Sequence, residues 1–334
     1  MESTNTKTLL ITKKEILDLF TNRELCIQIV ENAFKEYNNN QILLPSKISQ
    51  IFDKEKQNRI NCMPATLLNS KICGVKWISV FPENPKYGIN NVSGIIILSE
   101  IEHGLPIAIM DGTIITSLRT AAVGAVAAKY LSKIDSKSIG FIGAGNEAKA
   151  HLDMIYQVRP QINTCYVSSR TNKTVEKFIN EKQKQYPNIK FINCQNDYQK
   201  AVENSDIIIT ATSTQKDILK ASWIKKGATY IHVGGWEDEY EVAKKANKII
   251  CDDWESVKHR GQTICRMYKE GMLHDEDIYA NLKDIIVTKN KPGRENNEEF
   301  IYFNSVGLSF IDIHFAKYVY EKIKPNKNIP TFEF

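Results

Sequence analysis

The fold is decided by the stretch Ser138-Ile-Gly-Phe-Ile-Gly-Ala-Gly-Asn-Glu-Ala148, in which a short apolar run leads into a glycine-rich turn. The run Ser138–Ile142 predicts a strand, and the residues from Glu147 to about Val158 predict a helix. The pattern between them is G-x-G-x-x-A, which in a strand–turn–helix context is typical of a dinucleotide-binding turn. A plain turn without a ligand remains the alternative interpretation.

Each small residue of this turn has an expected role. Gly143 permits the tight turn, Gly145 lets a pyrophosphate approach the backbone, and Ala148 keeps the helix close to the strand. The N–H groups at the start of the helix then face the phosphates. The predicted cofactor contacts in this turn are Gly143, Ala144, Gly145, Asn146, Glu147 and Ala148.

Strands and helices alternate on the carboxyl side of the turn. The expected strands are Thr164–Ser168, Ile189–Ile192, Ile207–Ala211, Thr229–Val233 and Lys248–Cys251, with helices over Lys173–Gln185 and Tyr198–Glu203. This alternation is typical of a Rossmann-type, doubly wound parallel sheet. We predict such an α/β domain over residues 118–305, entered through an alanine-rich helix that starts at Thr116.

The first third of the chain has a different pattern. A helical spacing over Lys13–Tyr37, broken near Asn22, precedes short strands that Gly, Pro and Asn separate. These strands are Ile48–Phe52, Arg59–Met63, Ile72–Val80, Gly94–Ser99 and Pro106–Met110. Short turns between them favour an antiparallel or mixed sheet with one face open. We predict a mixed α+β domain from residues 1–117 and 306–334, completed by a helix over Gly307–Lys322.

Composition excludes several other classes of protein. The 334 residues suit two domains, and a net charge of +5 with interspersed signs does not indicate a nucleic-acid partner. The longest apolar runs are strand-sized, so no membrane span is expected. Seven cysteines without a CxxC pair and six scattered histidines predict reduced thiols in a cytoplasmic protein and no metal site.

The end of the second strand of the Rossmann-type domain bears on which dinucleotide binds. An NAD site usually places an acid there, whereas this chain has none between Thr164 and Glu176. Ser168 and Ser169 can donate to a 2′-phosphate, and Arg170 offers it a guanidinium. We therefore favour NADP(H) over NAD(H). Alternatively, Arg170 only solvates a loop or stacks on adenine.

Two later strands end in small residues at the same edge of the sheet, where ligands bind in such folds. One ends in Ala211-Thr-Ser213, and the other ends in His232-Val-Gly-Gly235. We expect cofactor contacts from Ala211, Thr212, Ser213, Val233 and Gly234, although small residues are equally common as simple turn formers.

Several motifs in order resemble the ornithine cyclodeaminase/μ-crystallin family. They are Gly74-Val-Lys-Trp77, Leu118-Arg-Thr-Ala-Ala122, Gly143–Ala148 and Asn304-Ser-Val-Gly307. Within the family, the chain looks most like the branch that forms 2,3-diaminopropionate from N-(2-amino-2-carboxyethyl)-L-glutamate. The supporting stretches are Phe81-Pro-Glu-Asn-Pro85, Val92–Leu98, Cys251-Asp-Asp-Trp254 and Pro292-Gly-Arg-Glu295.

The resemblance implies a substrate carboxylate held by Lys47, Lys76 and Arg119, and cofactor contacts from Thr120 and Val306. It also implies that the first domain binds the substrate and forms a homodimer. Lys76 stands inside the apolar segment Ile72–Val80, where a charge needs a partner. Lys47 takes the place of an arginine in many relatives, so a bidentate contact is expected to be lost there.

One departure from the family concerns the catalytic acid. Cyclodeaminases typically carry an aspartate just after the glycines near residue 235, whereas here Trp236 follows them, with Glu237 and Asp238 next. Lys76 and Glu237 are our candidate catalytic residues, with Glu237 as general base. Alternatively, these acids cap the following helix.

These observations predict an NAD(P)-dependent oxidoreductase that acts on the C–N bond of a small amino-acid derivative. The favoured reaction is oxidative cleavage of N-(2-amino-2-carboxyethyl)-L-glutamate to 2,3-diaminopropionate and 2-oxoglutarate. The alternatives within the family are ornithine cyclodeamination, reduction of a cyclic imine and amino-acid dehydrogenation. An alternative of another class is a non-catalytic, NADPH-dependent binder of small molecules.

Overall fold

The chain divides into two units in the computed structural model, which describes residues 7–333. One unit, here the split unit, contains the residues up to Arg119 and those from Leu308 onward. The other, the continuous unit, comprises Thr120–Gly307. A long helix, Gly112–Leu131, begins in the split unit and ends in the continuous unit.

The split unit is built on one mixed sheet with helices beside it. Its strands are β1 (Lys7–Ile11), β2 (Ile42–Leu43), β3 (Ile48–Asp53), β4 (Asn58–Leu67), β5 (Ile72–Val80), β6 (Val92–Glu100), β7 (Pro106–Asp111) and β18 (Thr331–Glu333). Its helices are α1 (Lys13–Leu19), α2 (Arg23–Asn38), the start of α3 (Gly112–Leu131) and α11 (Ser309–Ile323). The order of strands is β18-β1-β7-β6-β5-β4-β2, with β3 paired to β4.

The sheet is mixed because β1 and β7 run parallel while the other pairs run antiparallel. The predicted break between the first two helices is confirmed, since the side chain of Asn22 accepts a hydrogen bond from the N–H of Glu24 and caps α2. Aromatic rings join α2 to α11, with Phe34 and Phe310 at 5.6 Å between centroids. These contacts cover one face of the sheet.

The continuous unit is a doubly wound α/β structure, as predicted. Its strands are β8 (Ser138–Ile142), β9 (Thr164–Ser168), β10 (Lys190–Asn193), β11 (Ile207–Thr210), β12 (Gln215–Leu219), β13 (Thr229–His232), β14 (Trp236–Asp238), β15 (Lys248–Cys251), β16 (Ile278–Asn281) and β17 (Ile301–Asn304). Its helices are α4 (Asn146–Val158), α5 (Asn172–Gln185), α6 (Tyr198–Val202), α7 (Tyr240–Lys245), α8 (Trp254–Val257), α9 (Thr263–Lys269) and α10 (Leu282–Ile286).

The main sheet of this unit has the order β10-β9-β8-β11-β13-β17-β15-β16, and its neighbouring strands all run parallel. The strand order reverses between β8 and β11, and ligands of such sheets bind at the carboxyl ends beside that reversal. The turn that begins at Gly143 leaves β8 at this position. A separate pair, β12 and β14, follows the ends of β11 and β13.

Helix α3 starts at Gly112, four residues before the predicted start at Thr116. It is long and apolar enough to cross a membrane by length and composition, which the strand-sized runs of the sequence did not indicate. Of its most apolar window, 67% is buried inside the protein. Alanines and other small residues make such a helix equally suited to the core of a globular protein, where neighbours pack closely against it.

Candidate functional site

Lys76 lies on the face of β5 that α11 covers. Side chains alternate between the two faces of a strand, and Lys76 is fully buried whereas the neighbouring Trp77 is 40% exposed. Gly74 lies on the same face as Lys76, and a Cβ atom there would lie 2.6 Å from the side chain of Ile313 on α11. The motif Gly74–Trp77 therefore places a cation beneath a closely packed helix.

An aspartate that the sequence analysis did not single out neutralises this cation. Asp312 on α11 places Oδ2 2.7 Å from Nζ of Lys76 and Oδ1 2.9 Å from Nε of Arg119. The side chains of Lys76 and Asp312 are completely buried, and that of Arg119 is 7% exposed. The structure thus brings together two of the three predicted substrate-binding cations. A signal was present, since Asp312 interrupts the apolar run Phe310–Phe315, where a charge needs a partner.

Lys47, the third predicted cation, lies in the link between β2 and β3 and is half-buried. Its link approaches the sheet beside β4, since β2 and β3 both pair with that strand. The ion pairs described above join Asp312 to Lys76 and Arg119. Its role toward a substrate stays a prediction.

The backbone of the glycine turn is compatible with the predicted phosphate site. Gly143 has a φ of 104°, and a Cβ atom there would lie 2.5 Å from the carbonyl oxygen of Ala211. Gly145 caps the start of α4, and a Cβ atom there would meet no atom within 4 Å. Because a glycine has no side chain to accept from the first turn, the N–H groups of α4 are left for an anion. Ala148 is fully buried against the sheet.

The three predicted phosphate contacts at the end of β9, which are Ser168, Ser169 and Arg170, differ in their exposure to solvent. The hydroxyl of Ser168 is buried and donates to the carbonyl oxygen of Phe141 at 3.0 Å, so its hydrogen is already used within the fold. This geometry argues against Ser168 as a donor to a phosphate. Ser169 is half-buried and Arg170 is exposed, so both side chains are accessible from solvent.

The other predicted cofactor contacts keep partial or full exposure, except Ala144, which is buried. The hydroxyl and the N–H of Thr212 donate to the buried carboxylate of Glu237. The residues at the surrounding strand ends are partly or fully exposed. The accessible candidates are Thr120, Asn146, Glu147, Ala211, Thr212, Ser213, Val233, Gly234 and Val306.

Glu237 is enclosed by the ends of β11 and β13. Its carboxylate is completely buried and accepts hydrogen bonds from the hydroxyl of Thr210 at 2.7 Å and from the N–H and hydroxyl of Thr212 at 2.6 and 2.5 Å. Gly234 makes room for it, because a Cβ atom there would overlap the carboxylate. This environment argues against the predicted general-base role, since a base must reach a substrate proton. Glu237 instead ties two strand ends together.

Asp238 lies beside Glu237 in a fully buried network. Its carboxylate accepts from Thr263 at 2.8 Å and from Tyr302 at 3.0 Å, and Nδ1 of His232 lies 3.6 Å away. Burial raises the pKa of Asp238. Although burial opposes it, the neighbouring carboxylates of Asp238 and Glu237 raise the pKa of His232. The helix-capping alternative is not observed for these two acids, because Glu239 is the residue that precedes α7.

A second aspartate missed by the sequence analysis shapes the turn after β17. Oδ2 of Asp252 accepts from the hydroxyl of Ser305 at 3.1 Å and from the N–H groups of Val306 and Gly307 at 2.9 and 3.0 Å. Burial raises the pKa of Asp252 to about 6, although these N–H donors oppose the rise. The predicted cofactor contact at Val306 therefore depends on a buried carboxylate. The strand β17 itself was not predicted.

Known proteins resemble this chain over nearly its whole length. It is 34% identical to the alanine dehydrogenase of Archaeoglobus fulgidus, over 94% of this chain and 95% of the relative. It is 31% identical to the N-((2S)-2-amino-2-carboxyethyl)-L-glutamate dehydrogenase of Staphylococcus aureus, over 92% of both chains.

Two solved structures share the fold. The Thermococcus litoralis Delta(1)-pyrroline-2-carboxylate reductase, in complex with NADH and L-proline, superimposes with a TM-score of 0.89, 34% identity and coverage of 95% of this chain and 98% of its own. An archaeal alanine dehydrogenase dimer with bound NAD gives a TM-score of 0.88, 31% identity and coverage of 98% and 100%.

These comparisons confirm the predicted fold class and the prediction of an enzyme, an oxidoreductase that acts on C–N groups with a nicotinamide cofactor. They do not distinguish NADP from NAD. The sequence family described as the ornithine cyclodeaminase/mu-crystallin family matches residues 6–327. The chain therefore belongs to the ornithine cyclodeaminase/mu-crystallin family.

Proposed function

We propose that this protein oxidises N-(2-amino-2-carboxyethyl)-L-glutamate, releasing 2,3-diaminopropionate and 2-oxoglutarate. A hydride passes from the glutamyl α-carbon to the nicotinamide and the nitrogen loses a proton. Water then adds to the resulting imine before the C–N bond breaks. The observation that supports the proposal is the cluster of Lys76, Arg119 and Asp312, which brings together two buried cations of the kind that binds a substrate carboxylate.

The choice of this substrate rests on two supports. The Staphylococcus aureus relative of that name is similar along 92% of both chains. In addition, Trp236 occupies the position after the glycines where cyclodeaminases typically carry an aspartate. A tryptophan cannot transfer protons as a carboxylate does, so ring closure with loss of ammonia is disfavoured.

A second candidate is oxidation of a simple amino acid or reduction of a cyclic imine. The 34% identity to an alanine dehydrogenase and to a pyrroline-2-carboxylate reductase favours it. All these substrates carry a carboxylate next to the reacting C–N bond, so the same cation cluster serves each of them.

The test is turnover by the purified protein with a panel of substrates. We expect NAD(P)H to form with N-(2-amino-2-carboxyethyl)-L-glutamate at a kcat/KM at least tenfold above that with L-alanine, L-proline or L-ornithine. A higher kcat/KM for L-alanine, or for reduction of Δ1-pyrroline-2-carboxylate, would establish the second candidate instead. Tight NADPH binding without turnover of any of them would leave the non-catalytic binder.

For the cofactor, we propose NADP(H) in preference to NAD(H). The support is the exposed Arg170 and the half-buried Ser169 at the end of β9, with no acid between Thr164 and Glu176. A guanidinium pairs well with a 2′-phosphate. Dissociation constants of NADPH and NADH should differ at least fivefold in favour of NADPH, and Arg170→Ser should remove the difference. Tighter binding of NADH by the unchanged protein would contradict this preference.

We also propose a homodimer that forms through the split unit. The face of its sheet opposite α11 exposes apolar side chains, including Trp77 at 40% and Ile95 at 41%, and β3 exposes Ile48 at 61% and Phe52 at 60%. Exposed apolar patches of this kind mark interfaces. Sedimentation should give twice the chain mass of 38.1 kDa. A single species of the chain mass at micromolar concentration would contradict it.

A cytoplasmic location completes the proposal. The structure shows each of the seven cysteines as a free thiol, five of them buried. Free thiols are the rule in reducing compartments. Fractionation of cells that express the protein should recover it with cytoplasmic markers, and recovery with membranes would contradict this location.

A further inference from the structure

A buried histidine lies at the end of β13 among groups that the proposed reaction does not use. The side chain of His232 is completely buried, and its ring stacks on that of Tyr230 with 5.7 Å between centroids. Nε2 of His232 lies 3.5 Å from Oε2 of Glu237, and Nδ1 lies 3.6 Å from Oδ1 of Asp238. Each ring nitrogen therefore faces a different buried carboxylate.

The hydrogen bonds of Tyr302 determine the state of one ring nitrogen. The hydroxyl of Tyr302 has a single hydrogen, which it donates to Oδ2 of Asp238 at 3.0 Å. The oxygen of this hydroxyl is then left to accept, and Nδ1 of His232 lies 3.0 Å from it. Nδ1 therefore carries a hydrogen and donates to Tyr302.

The surroundings of the other ring nitrogen favour a second hydrogen. Nε2 of His232 is buried and makes no hydrogen bond within residues 7–333, and it faces Oε2 of Glu237 at the distance of an ion pair. A lone pair on Nε2 would face a negative charge, whereas an N–H faces it favourably. Hydrogens on both nitrogens make the ring an imidazolium. Although burial opposes it, the two carboxylates raise the pKa of His232, in agreement with this geometry.

Charge balance supports the same assignment. The titratable groups that face His232 are Tyr230 on β13, Tyr302 on β17, and Glu237 and Asp238 on β14. On the neighbouring strands β11 and β17, the residues in register with His232 are the uncharged Thr210 and Asn304. Two adjacent buried carboxylates repel each other, and each needs a positive or hydrogen-bonding partner. An imidazolium between them compensates for one of the two charges.

The network joins strand ends where cofactor contacts are predicted. Glu237 accepts hydrogen bonds from Thr210 at the end of β11 and from the N–H and hydroxyl of Thr212 beyond it. His232 is followed directly by Val233 and Gly234, so its ring links that turn to Glu237. Without the positive charge, the two carboxylates would repel each other, and the contacts that hold Thr212 would be displaced.

We propose that His232 is a positioning residue that, as an imidazolium, holds the ends of β11 and β13 in the arrangement that binds the nicotinamide cofactor. The inference rests on the proposed function, because it concerns the cofactor contacts predicted at Thr212, Val233 and Gly234. His232 does not itself touch the cofactor, since its side chain is completely buried. The affinity for the cofactor is therefore linked to the proton on the ring.

The charge of His232 is measured by NMR of the full-length protein labelled with 15N at histidine. We expect both ring nitrogens of His232 to carry a hydrogen at pH 7, and the variant His232→Gln identifies their signals. His151 on α4 is the matched reference, because it is also completely buried, but burial lowers its pKa to about 4. The ring of His151 should therefore be neutral at pH 7. A neutral His232 at pH 7, with the proton on Asp238 instead, would overturn the inference.

The positioning role is tested by titrating the unchanged protein and His232→Gln with NADPH and NADH. Glutamine donates and accepts hydrogen bonds but carries no charge. We expect the variant to raise the dissociation constant of the preferred dinucleotide about tenfold at pH 7. The ratio of the two dissociation constants should shrink as pH rises from 7 to 10, because the unchanged protein then loses the proton that the variant lacks. A ratio that does not change with pH would indicate a merely structural role and would overturn the inference.

The control variant is His314→Gln in the split unit. His314 is also buried, and its Nε2 lies 3.4 Å from Oε2 of Glu36, but it belongs to α11 and not to the network of His232. This variant should keep the dissociation constant within about threefold of that of the unchanged protein at every pH. Equal losses in both variants would mean that removal of any buried histidine weakens cofactor binding, which would overturn the inference.

If His232→Gln does not fold, Asp238→Asn provides the test. Loss of one of the two carboxylates makes the imidazolium less favourable. We expect the pH at which His232 loses its proton, followed by NMR, to fall by about one unit or more. An unchanged titration of His232 in this variant would overturn the inference.

Failure of the cofactor assignment is separable from failure of this inference. If neither dinucleotide binds the unchanged protein, the free energy of unfolding replaces the dissociation constant as the readout. A group whose pKa is raised by folding stabilises the folded state below its usual pKa and loses that contribution as pH rises. The stability of the unchanged protein relative to His232→Gln should therefore decline as pH rises from 7 to 10. A difference in stability that is independent of pH would overturn the inference.

Discussion

Two regions of the molecule bury charged side chains, and the charged groups are stabilised by different partners in each region. In the split unit, one carboxylate, that of Asp312, serves the two cations Lys76 and Arg119. In the continuous unit, the carboxylates of Glu237 and Asp238 are satisfied by hydroxyl and N–H groups of the same unit. The first cluster pairs groups of opposite charge, whereas the second surrounds its carboxylates mainly with neutral hydrogen-bond donors. A buried charged group costs free energy unless it is paired or hydrogen-bonded, and the two regions meet this requirement by different means.

This comparison revises the distribution of roles between the units. Both predicted catalytic residues are fully buried, but only Lys76 belongs to a cluster that contains a second buried cation, Arg119. Glu237 lies at the ends of β11 and β13, where cofactor contacts are predicted, and we therefore expect it to support that site indirectly.

The largest effect is expected from Lys76→Met. Methionine has a similar length and leaves Asp312 paired with Arg119, so the fold should be retained while the site loses one of its two cations. We expect kcat/KM for the amino-acid substrate to fall about 1000-fold with NADH affinity unchanged. Steady-state kinetics and fluorescence titration of NADH measure the two quantities.

The control for this variant is Lys182→Met. Lys182 is also a buried lysine, and it pairs with Asp153 in the continuous unit. The variant Lys182→Met should keep kcat/KM within about threefold of the unchanged protein, because no ligand is expected beside Lys182. Equal losses in both variants would mean that burial of the charge, and not its place in the cluster, determines activity.

The next prediction distinguishes the roles of two glycines in the same turn, Gly145 and Gly143. A Cβ atom at Gly145 would meet no atom within 4 Å, so Gly145→Val should fold normally but fill the space predicted for the pyrophosphate. We expect the dissociation constant of the cofactor to rise about 100-fold at an unchanged melting temperature. Gly143→Ala should instead lower the free energy of unfolding by about 2 kcal/mol, because of its φ of 104° and the nearby carbonyl oxygen of Ala211.

Titration with NADPH and thermal denaturation would measure both glycine variants. If Gly145→Val bound the cofactor as the unchanged protein does, the turn would not be the site of the phosphates. The two variants together distinguish the ligand requirement of the turn from its backbone requirement.

A smaller effect on catalysis is expected from Glu237→Gln. Its amide cannot accept from three donors as the carboxylate does, so the free energy of unfolding should fall by about 1–3 kcal/mol. Because we assign Glu237 a supporting role, kcat should fall less than about tenfold and keep its pH profile. Urea denaturation and a kcat–pH profile provide the measurements.

A general base would behave otherwise, with kcat reduced about 100-fold or more and the acidic limb of its profile lost. The matched variant is Glu239→Gln, whose carboxylate accepts from the N–H of Ala221 at 2.7 Å without contacting the ends of β11 or β13. It should leave kcat unchanged.

The sequence was sufficient to predict the elements whose signal is local. The strands Ile72–Val80, Ser138–Ile142, Thr164–Ser168 and Lys248–Cys251 have the predicted bounds, because short apolar runs are flanked by turn residues there. The glycine turn was predicted for the same reason. Its motif specifies backbone geometry within a few residues.

What the sequence did not reveal depends on contacts between distant segments. Strand β17 has four residues, and its place between β13 and β15 depends on partners far along the chain. Asp312 contacts a cation 193 residues away. Glu237 and Ser168 were given ligand roles from their positions, but side-chain directions and burial decide such roles, and neither can be derived from spacing alone.

The last expected effect, that of Asp252→Asn, is confined to the pH dependence of stability and concerns an acid that accepts from backbone N–H groups. Burial raises the pKa of Asp252 from its usual 3.8 to about 6, so the folded state holds this proton more tightly than the unfolded state. The contribution of the group to stability is therefore full below pH 3.8 and declines as pH rises to about 6. Asparagine does not titrate, so the stability of the unchanged protein relative to the variant should fall by at most about 3 kcal/mol between pH 4 and 7.

The control for Asp252→Asn is Asp206→Asn, because the pKa of Asp206 is shifted in the opposite direction. Although burial opposes it, ion pairs with Lys225 and Lys133, each at 2.9 Å, hold the pKa of Asp206 well below its usual range. The contribution of Asp206 to stability is present above pH 3.8 and is lost only as pH falls below that value. The stability of the unchanged protein relative to Asp206→Asn should therefore be constant from pH 5 to 7. Urea denaturation at four pH values measures both differences. If the two behaved alike, the backbone N–H groups of Val306 and Gly307 would stabilise a buried carboxylate as fully as two lysines do, and the distinction between ion pairs and neutral donors would fail.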